Sequence, residues 1–169
     1  VIMQTIDYCD AMAAVTRALS QGGVFLTAQA SGAPNTMTIG WAQMGYIWRK
    51  PIFMAMVRPQ RYTYGLIESS GEFTVSVPEP GECGALLSYA GSHCGATEDK
   101  FVGHGLTAAP SMHTRAPVIA QCALHIECRV CAKQDLTPSG MDEALWAKWY
   151  PQNDPHRLYF GEILACYRT

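Results

Sequence analysis

Ile52-Phe53-Met54-Ala55-Met56-Val57-Arg58-Pro59-Gln60-Arg61-Tyr62-Thr63-Tyr64 is the stretch on which the architecture turns. Its first six residues are apolar without alternation, the pattern of a central strand covered on both faces. Tyr62 to Ser69 then reads as a short helix ended by Gly71. A strand that closes on two arginines and a threonyl hydroxyl, just where a helix begins, is a ready place to hold an anion. The free N–H groups and positive dipole end of the helix add to two guanidinium forks. Arginine is the side chain best shaped for bidentate contact with phosphate, so the corner points to a phosphorylated ligand or cofactor. The plainer alternative is two surface arginines beside a capping threonine.

Working outward, Val24 to Ala30 and Thr36 to Trp48 read as extended stretches joined by the turn cluster Ser31 to Asn35, which predicts a hairpin. Gly40 and Gly45 punctuate the second stretch and predict bulges or a close approach to the backbone. Glu72 to Val77 alternates cleanly, with Phe73, Val75 and Val77 on one face. Val118 to Ala132 and Arg157 to Tyr167 supply the remaining long strands. Helices are predicted at Asp7 to Leu19, Cys83 to Tyr89 and Met141 to Tyr150, with a small-residue loop from Gly91 to Thr97 and a short turn at Asp99-Lys100-Phe101. Strands outnumber helices without alternating regularly with them. A single mainly β domain, an antiparallel barrel with a few peripheral helices, therefore fits better than a doubly wound sheet. No G-x-G-x-x-G is present to suggest a dinucleotide-binding first turn.

Composition narrows the partners. The 169 residues are 49% hydrophobic and only 15% charged, a balance that favours extra burial in an oligomer or around a cofactor. A net charge of −2 with no basic tract argues against nucleic acid, and no apolar run reaches the length of a membrane span. Val1-Ile2-Met3-Gln4-Thr5 has none of the regions of a signal peptide, so a cytoplasmic setting is expected. The seven cysteines then read as reduced thiols. Cys128-Arg129-Val130-Cys131 matches C-x-x-C, but it lies in Gln121 to Ala132, read as a half-buried strand. Residues three apart on a strand face opposite ways, which places Cys128 inward and Cys131 outward and disfavours a redox or zinc pair.

Three segments could line a ligand site: the corner of Arg58, Arg61 and Thr63; Trp41-Ala42-Gln43-Met44-Gly45-Tyr46, whose aromatics and Met could form an apolar slot for a flat ring; and the loop from Gly91 to Lys100, which could fold over a ligand. The second reads equally as a strand packed in a core, and the third equally as a surface loop. Cys83, His93, Cys94 and His104 match no common zinc spacing. A Cys94 nucleophile with His93 or His104 as base has only adjacency in its favour, and no G-x-S-x-G elbow supports a serine hydrolase.

Read in order, Asn35-Thr36-Met37-Thr38-Ile39-Gly40-Trp41, Lys50-Pro51, Val57-Arg58-Pro59-Gln60-Arg61-Tyr62-Thr63 and Gly91-Ser92-His93-Cys94-Gly95 leading to Asp99-Lys100-Phe101 resemble the flavin reductase-like family, and within it the flavoredoxin-like branch. The resemblance runs from about Gly23 to Phe101 and more loosely through Tyr159-Phe160-Gly161-Glu162. It implies an FMN-binding split β-barrel, Greek-key-like in its antiparallel order, with FMN held non-covalently, commonly at a homodimer interface. By that analogy the backbone of Trp41, Ala42, Gln43 and Met44 lines the isoalloxazine. Arg58, Arg61 and Thr63, with Tyr62 between them, hold the phosphate, and Ser92, His93, Cys94 and Lys100 close the site. Cys94 stands where the branch often has a second Ser, and a thiol is a poor donor beside a hydroxyl. The implied activity is an NADH- or NADPH-dependent flavin reductase without a catalytic side chain in the usual sense, since the flavin carries the hydride chemistry. The alternatives are a flavoredoxin-type electron carrier serving a redox protein partner, or a non-catalytic FMN-binding module.

Overall fold

The computed structural model describes Met3–Thr169. In chain order the elements are β1 (Gln4–Thr5), α1 (Tyr8–Ser20), β2 (Val24–Ala28), β3 (Asn35–Ile39), β4 (Ala42–Ile47), β5 (Lys50–Val57), α2 (Tyr62–Ser70), β6 (Glu72–Val77), α3 (Gly84–Ser92), β7 (Ala108–Ala109), β8 (Val118–Ile119), β9 (Leu124–Asp135), α4 (Glu143–Trp149) and β10 (Arg157–Arg168). The main sheet is antiparallel in the order β3-β2-β6-β9-β10-β5-β4, with β1 added to β10. Its two end strands follow one another in the chain, joined only by Gly40 and Trp41, yet no ladder connects them. Buried side chains from β2, β3, β5, β6, β9 and β10 meet in one core, so the sheet curls into a barrel split between β3 and β4. The expected split β-barrel is the observed fold.

α1 begins at Asp7, whose carboxylate caps the Cys9 N–H at 2.8 Å, and buries Ala11 and Val15 in the core. It touches β2, β4 and β6, and so spans the split. α2 stops at Gly71, which takes the left-handed conformation (φ 70°) open to glycine. Within the barrel Phe53 and Phe73 meet edge to face at 6.3 Å, and each buried ring contributes roughly 1.5–3 kcal/mol of transfer free energy.

The predicted hairpin is present, with Val24 opposite Ile39 and Ala28 opposite Asn35. The extended stretch Thr36 to Trp48 instead breaks at Gly40-Trp41 into β3 and β4, which lie at opposite ends of the sheet. Gly45 lies inside β4, and no atom of this chain comes within 4 Å of where its Cβ would be, nor of Gly40's. β5 is interior but not fully covered: Phe53, Ala55 and Val57 are buried, while Met54 and Met56 on the other face are half-buried. α3 runs three residues further than the apolar pattern suggested, through Ser92. The predicted helix over 141–150 is α4, capped by Asp142 and preceded by a short 3₁₀ turn at Pro138–Gly140.

The expected half-buried strand over 121–132 requires correction. β9 starts at Leu124 after a turn that separates it from β8, and both of its faces are buried from Leu124 to Cys128. The polar face of β6 and β9 (Thr74, Ser76, His125, Glu127) lies under the segment over residues 106–122. That segment has few ladder partners of its own, so its main chain bonds to these side chains. Glu127 accepts N–H bonds from Met112, His113 and Thr114 and a hydroxyl bond from Tyr167, at 2.6–3.1 Å. Ser76 accepts the Ile119 N–H at 2.9 Å, and Thr74 donates to the Pro117 carbonyl at 2.6 Å. A polar stripe is thus the socket for an irregular cover. Cys128 faces inward and Cys131 outward, as the strand argument requires. Among the described residues no helix is long and apolar enough to cross a membrane.

Candidate functional site

At the end of β5 the chain turns through Arg58-Pro59-Gln60-Arg61 into α2. Arg61 occupies the cap position and caps nothing with its side chain, so the first N–H groups of α2 are left open at the helix start. Thr63 does not cap the helix either. It is 1% exposed, and its hydroxyl oxygen accepts the Asn35 amide at 2.7 Å across the gap from β3. A threonyl oxygen that accepts from an amide keeps its own proton to donate, and no acceptor for that proton is present among the described residues. Arg61 is exposed and pairs with no carboxylate among the described residues.

Arg58 behaves differently. Its guanidinium pairs with the Asp154 carboxylate and donates to the Asp154 carbonyl at 3.3 Å and the Trp149 carbonyl at 3.2 Å. It also lies 5.4 Å from the Tyr150 ring centre. Burial pushes the Asp154 carboxyl upward, but the bond and charge of Arg58 outweigh it and hold the group below the usual carboxylate range.

Trp41, Arg58 and Arg61 meet around one cleft of about 270 Å³, walled by Met37 to Gly40 of the β3 edge, Met56, Trp149 and His156. The Trp41 ring stands edge-on to Trp149 at 4.9 Å and tilts against His156 at 5.1 Å. His156 Nδ1 shares a hydrogen bond with the Tyr150 hydroxyl at 2.9 Å. Burial first, then the neighbouring charge of Arg58, pushes its pKa down to about 4, so the ring is neutral at ordinary pH. The cleft lies along the split. Lys100 takes the Thr36 carbonyl, which therefore points away from β2, and by the two-residue period of a strand the main chain of Thr38 faces the same way.

The remaining expected residues are distributed around this cleft rather than in it. Ala42, Gln43 and Met44 form β4 and pair with β5, Ala42 and Met44 also packing against the core. Ser92 ends α3 with its hydroxyl turned back to the Ser88 carbonyl at 2.8 Å, and with Thr38 and Gly91 it lines a separate cavity of about 600 Å³ under α1. His93 tilts against Tyr89, and Cys94 is exposed at the start of the loop. Tyr62 lines a third hollow of about 290 Å³ with residues 95–99. Gly95 holds this loop against the corner: a Cβ there would fall 2.1 Å from Asn35 Oδ1 and 2.9 Å from the Tyr62 ring. Lys100 is buried, its ammonium committed to the carbonyls of Thr36 and Ala90 at 2.9 and 2.7 Å. Burial lowers its pKa, with Arg61 adding to the effect. Cys83 lies at the opposite end of α3 from His93 and Cys94, about 13 Å away along a nine-residue helix, so those residues with His104 do not converge on one ion.

His156 and Trp149 carried no signal in the sequence as cleft residues, because only the return of β10 beside β5 brings them to Trp41. Asn35 stood inside a recognised motif, but its partner Thr63 is 28 residues away.

An unpaired guanidinium that lines a cleft walled by aromatic and Met side chains, followed at once by an open helix start with a free hydroxyl proton, fits a flat molecule that carries a phosphate. A flavin mononucleotide has that form. The comparisons agree. Residues 16–168 match the model described as flavin reductase like domain, and the chain belongs to that family. Among solved structures it is similar to the flavoredoxin of Desulfovibrio vulgaris (Miyazaki F), at 25% identity and TM-score 0.68 over 87% of this chain and 69% of that one. The flavoredoxin of Methanosarcina acetivorans gives 25% identity and TM-score 0.68, covering 86% and 67%. The NADH:FAD oxidoreductase SgcE6 of Streptomyces globisporus C-1027, at 18% identity and TM-score 0.67 over 90% and 81%, shares the fold. No curated protein matches the sequence significantly. The family expected from the motifs is thus the family of the chain.

Proposed function

We propose that the chain works as a single FMN-binding domain, an oxidoreductase whose flavin is reduced by NADH or NADPH. The observation that carries the reading is the corner itself. Arg61 is unpaired and lines the Trp41 cleft, and it leads directly into the open start of α2, where the Thr63 hydroxyl has an uncommitted proton. Arg61, Thr63 and the first N–H groups of α2 would hold the phosphate. The β3 edge from Thr38 to Trp41 would lie along the ring, and Gly95 and Lys100 would fix the loop and the edge strand in place. When bound, the flavin supplies the hydride and electron chemistry. The chain's own residues bind, orient and shield it, and the neutral His156 lines the cleft without adding a charge.

A homodimer belongs to the reading. Tyr46 is 63% and Trp48 58% exposed, and Met54 and Met56 on the same sheet are only half covered by this chain. Apolar surface gathered in this way favours a second copy. A reducing, cytoplasmic setting is supported by cysteines that are all free thiols.

The second reading is a flavoredoxin-type carrier that passes electrons to a redox protein partner, favoured by the two flavoredoxins among the similar structures. Incubation with FMN followed by desalting is expected to leave a yellow protein, and a colourless one would end both readings. Stopped-flow mixing with NADH separates them: rapid bleaching of the flavin band supports the reductase, and an unchanged band supports the carrier.

A further inference from the structure

The two arginines of the corner do not do the same work. We infer that Arg58 is a positioning residue which, by clasping Asp154, holds residues 149–156 as the outer wall of the Trp41 cleft, leaving the phosphate to Arg61 and Thr63.

Three observations converge on this. Both terminal nitrogens of the Arg58 guanidinium are engaged: Nη1 takes the Asp154 carboxylate and carbonyl, Nη2 takes the Trp149 carbonyl, and the group packs over the Tyr150 ring. Gln60, on the same turn, also donates to the Asp154 carboxylate, at 3.3 Å. The segment so held carries two residues that meet Trp41, with Trp149 at 4.9 Å and His156 at 5.1 Å, and Tyr150 braces His156 through its hydroxyl. Tyr150 is buried and anchors the segment, but outside it and these contacts little else holds it. α4 buries no residue, and Trp149 is 40% exposed. The clasp, acting with the buried Tyr150 over which Arg58 packs, therefore keeps Trp149 and His156 in register with Trp41. For Arg58 to turn the fork of its two terminal nitrogens to a phosphate it would have to release a carboxylate and two carbonyls, whereas Arg61, three residues on, has no carboxylate to release.

The inference rests on the flavin reading of the cleft, and its test separates the two. Arg58→Ala, Asp154→Asn and Arg61→Ala are compared in the full chain by FMN titration. Near-UV circular dichroism of the flavin-free protein reads the packing of its aromatic side chains, the Trp41–Trp149 pair among them, and far-UV spectra verify that each variant folds. The clasp predicts that Arg58→Ala and Asp154→Asn behave alike. Both change the tryptophan near-UV signal in the same way and weaken FMN to the same extent, by less than tenfold, while Arg61→Ala raises Kd tenfold or more and keeps the near-UV signal. The inference is overturned if Arg58→Ala weakens FMN tenfold or more while Asp154→Asn leaves or tightens binding, the result expected when Asp154 merely competes with phosphate. It is overturned equally if neither variant disturbs the near-UV signal. Should the wild-type protein fail to take up FMN, the flavin reading fails, and the flavin-free spectra still decide the clasp.

Discussion

The Asn35 amide donates to the Thr63 hydroxyl at 2.7 Å, joining the first residue of one edge strand to the first turn of a helix 28 residues later. The bond fixes more than distance. It occupies a lone pair of the Thr63 oxygen and leaves the hydroxyl proton to point at whatever lies at the helix start.

Removing that proton should therefore weaken the phosphate end directly. Thr63→Val, measured by fluorescence titration, is expected to cost about 1.5–3 kcal/mol of FMN affinity, or about tenfold to a hundredfold in Kd. Asn35→Ala should also weaken binding, and the double variant should bind no worse than Thr63→Val alone. Strictly additive losses would show that Asn35 acts elsewhere.

Gly95→Ala places a methyl where Asn35 Oδ1 and the Tyr62 ring already stand. The loop must move, and overpacking of this kind typically costs about 1–3 kcal/mol. A lower unfolding midpoint with weaker FMN binding is expected. A variant indistinguishable from wild type in both would mean that the loop is free of the corner.

Glu127 is fully buried and accepts three N–H groups and a tyrosyl hydroxyl. In Glu127→Gln the side-chain amide nitrogen cannot accept, so at least one oxygen's worth of donors is left unsatisfied. Each such donor costs about 1–3 kcal/mol. Urea unfolding should report a loss of at least that size, with the cover over residues 106–122 loosening first in hydrogen exchange.

Stability should fall on the acid side of neutrality. Burial holds His125 at about 4, and His156 is also pushed to about 4, against an ordinary value of about 6.5 in the unfolded chain. Between those values the unfolded chain binds protons that the native protein refuses, so unfolding becomes easier as pH drops from about 6.5 toward 4. Each histidine contributes a slope of up to about 1.4 kcal/mol per pH unit in that window. His125→Gln should flatten the dependence of the denaturation midpoint on pH, and an unaltered slope would contradict the assignment.

Trp48 and Arg49 both take positive φ, 55° and 58°, in the two-residue turn between β4 and β5. This is the type I′ hairpin turn that favours glycine and asparagine. Arg49→Gly should relieve about 1 kcal/mol of strain and raise the thermal midpoint.

What could be read from the sequence was whatever depended on near neighbours. The apolar run into Arg58, the alternation of Phe73, Val75 and Val77, and the glycine stop at Gly71 all express local periodicity or local sterics, and each appears where expected. The errors share one cause. Glu127 and His125 read as a solvent face because their cover, the irregular stretch over 106–122, has no periodicity to announce it. Trp149 and His156 were invisible as cleft residues because β10 brings them to Trp41 from more than a hundred residues away. Arg58 and Arg61 look interchangeable in a motif, and only the position of Asp154 tells them apart.

The barrel is a laced cylinder with a single unlaced seam, between β3 and β4, and the cleft lies along it. Around most of the circumference a change of side chain must be accommodated by two neighbouring strands. At the seam it meets only one. The edge that reads a ligand can therefore vary with little disturbance to the hoop that holds the molecule together, so one scaffold can serve different flat ligands.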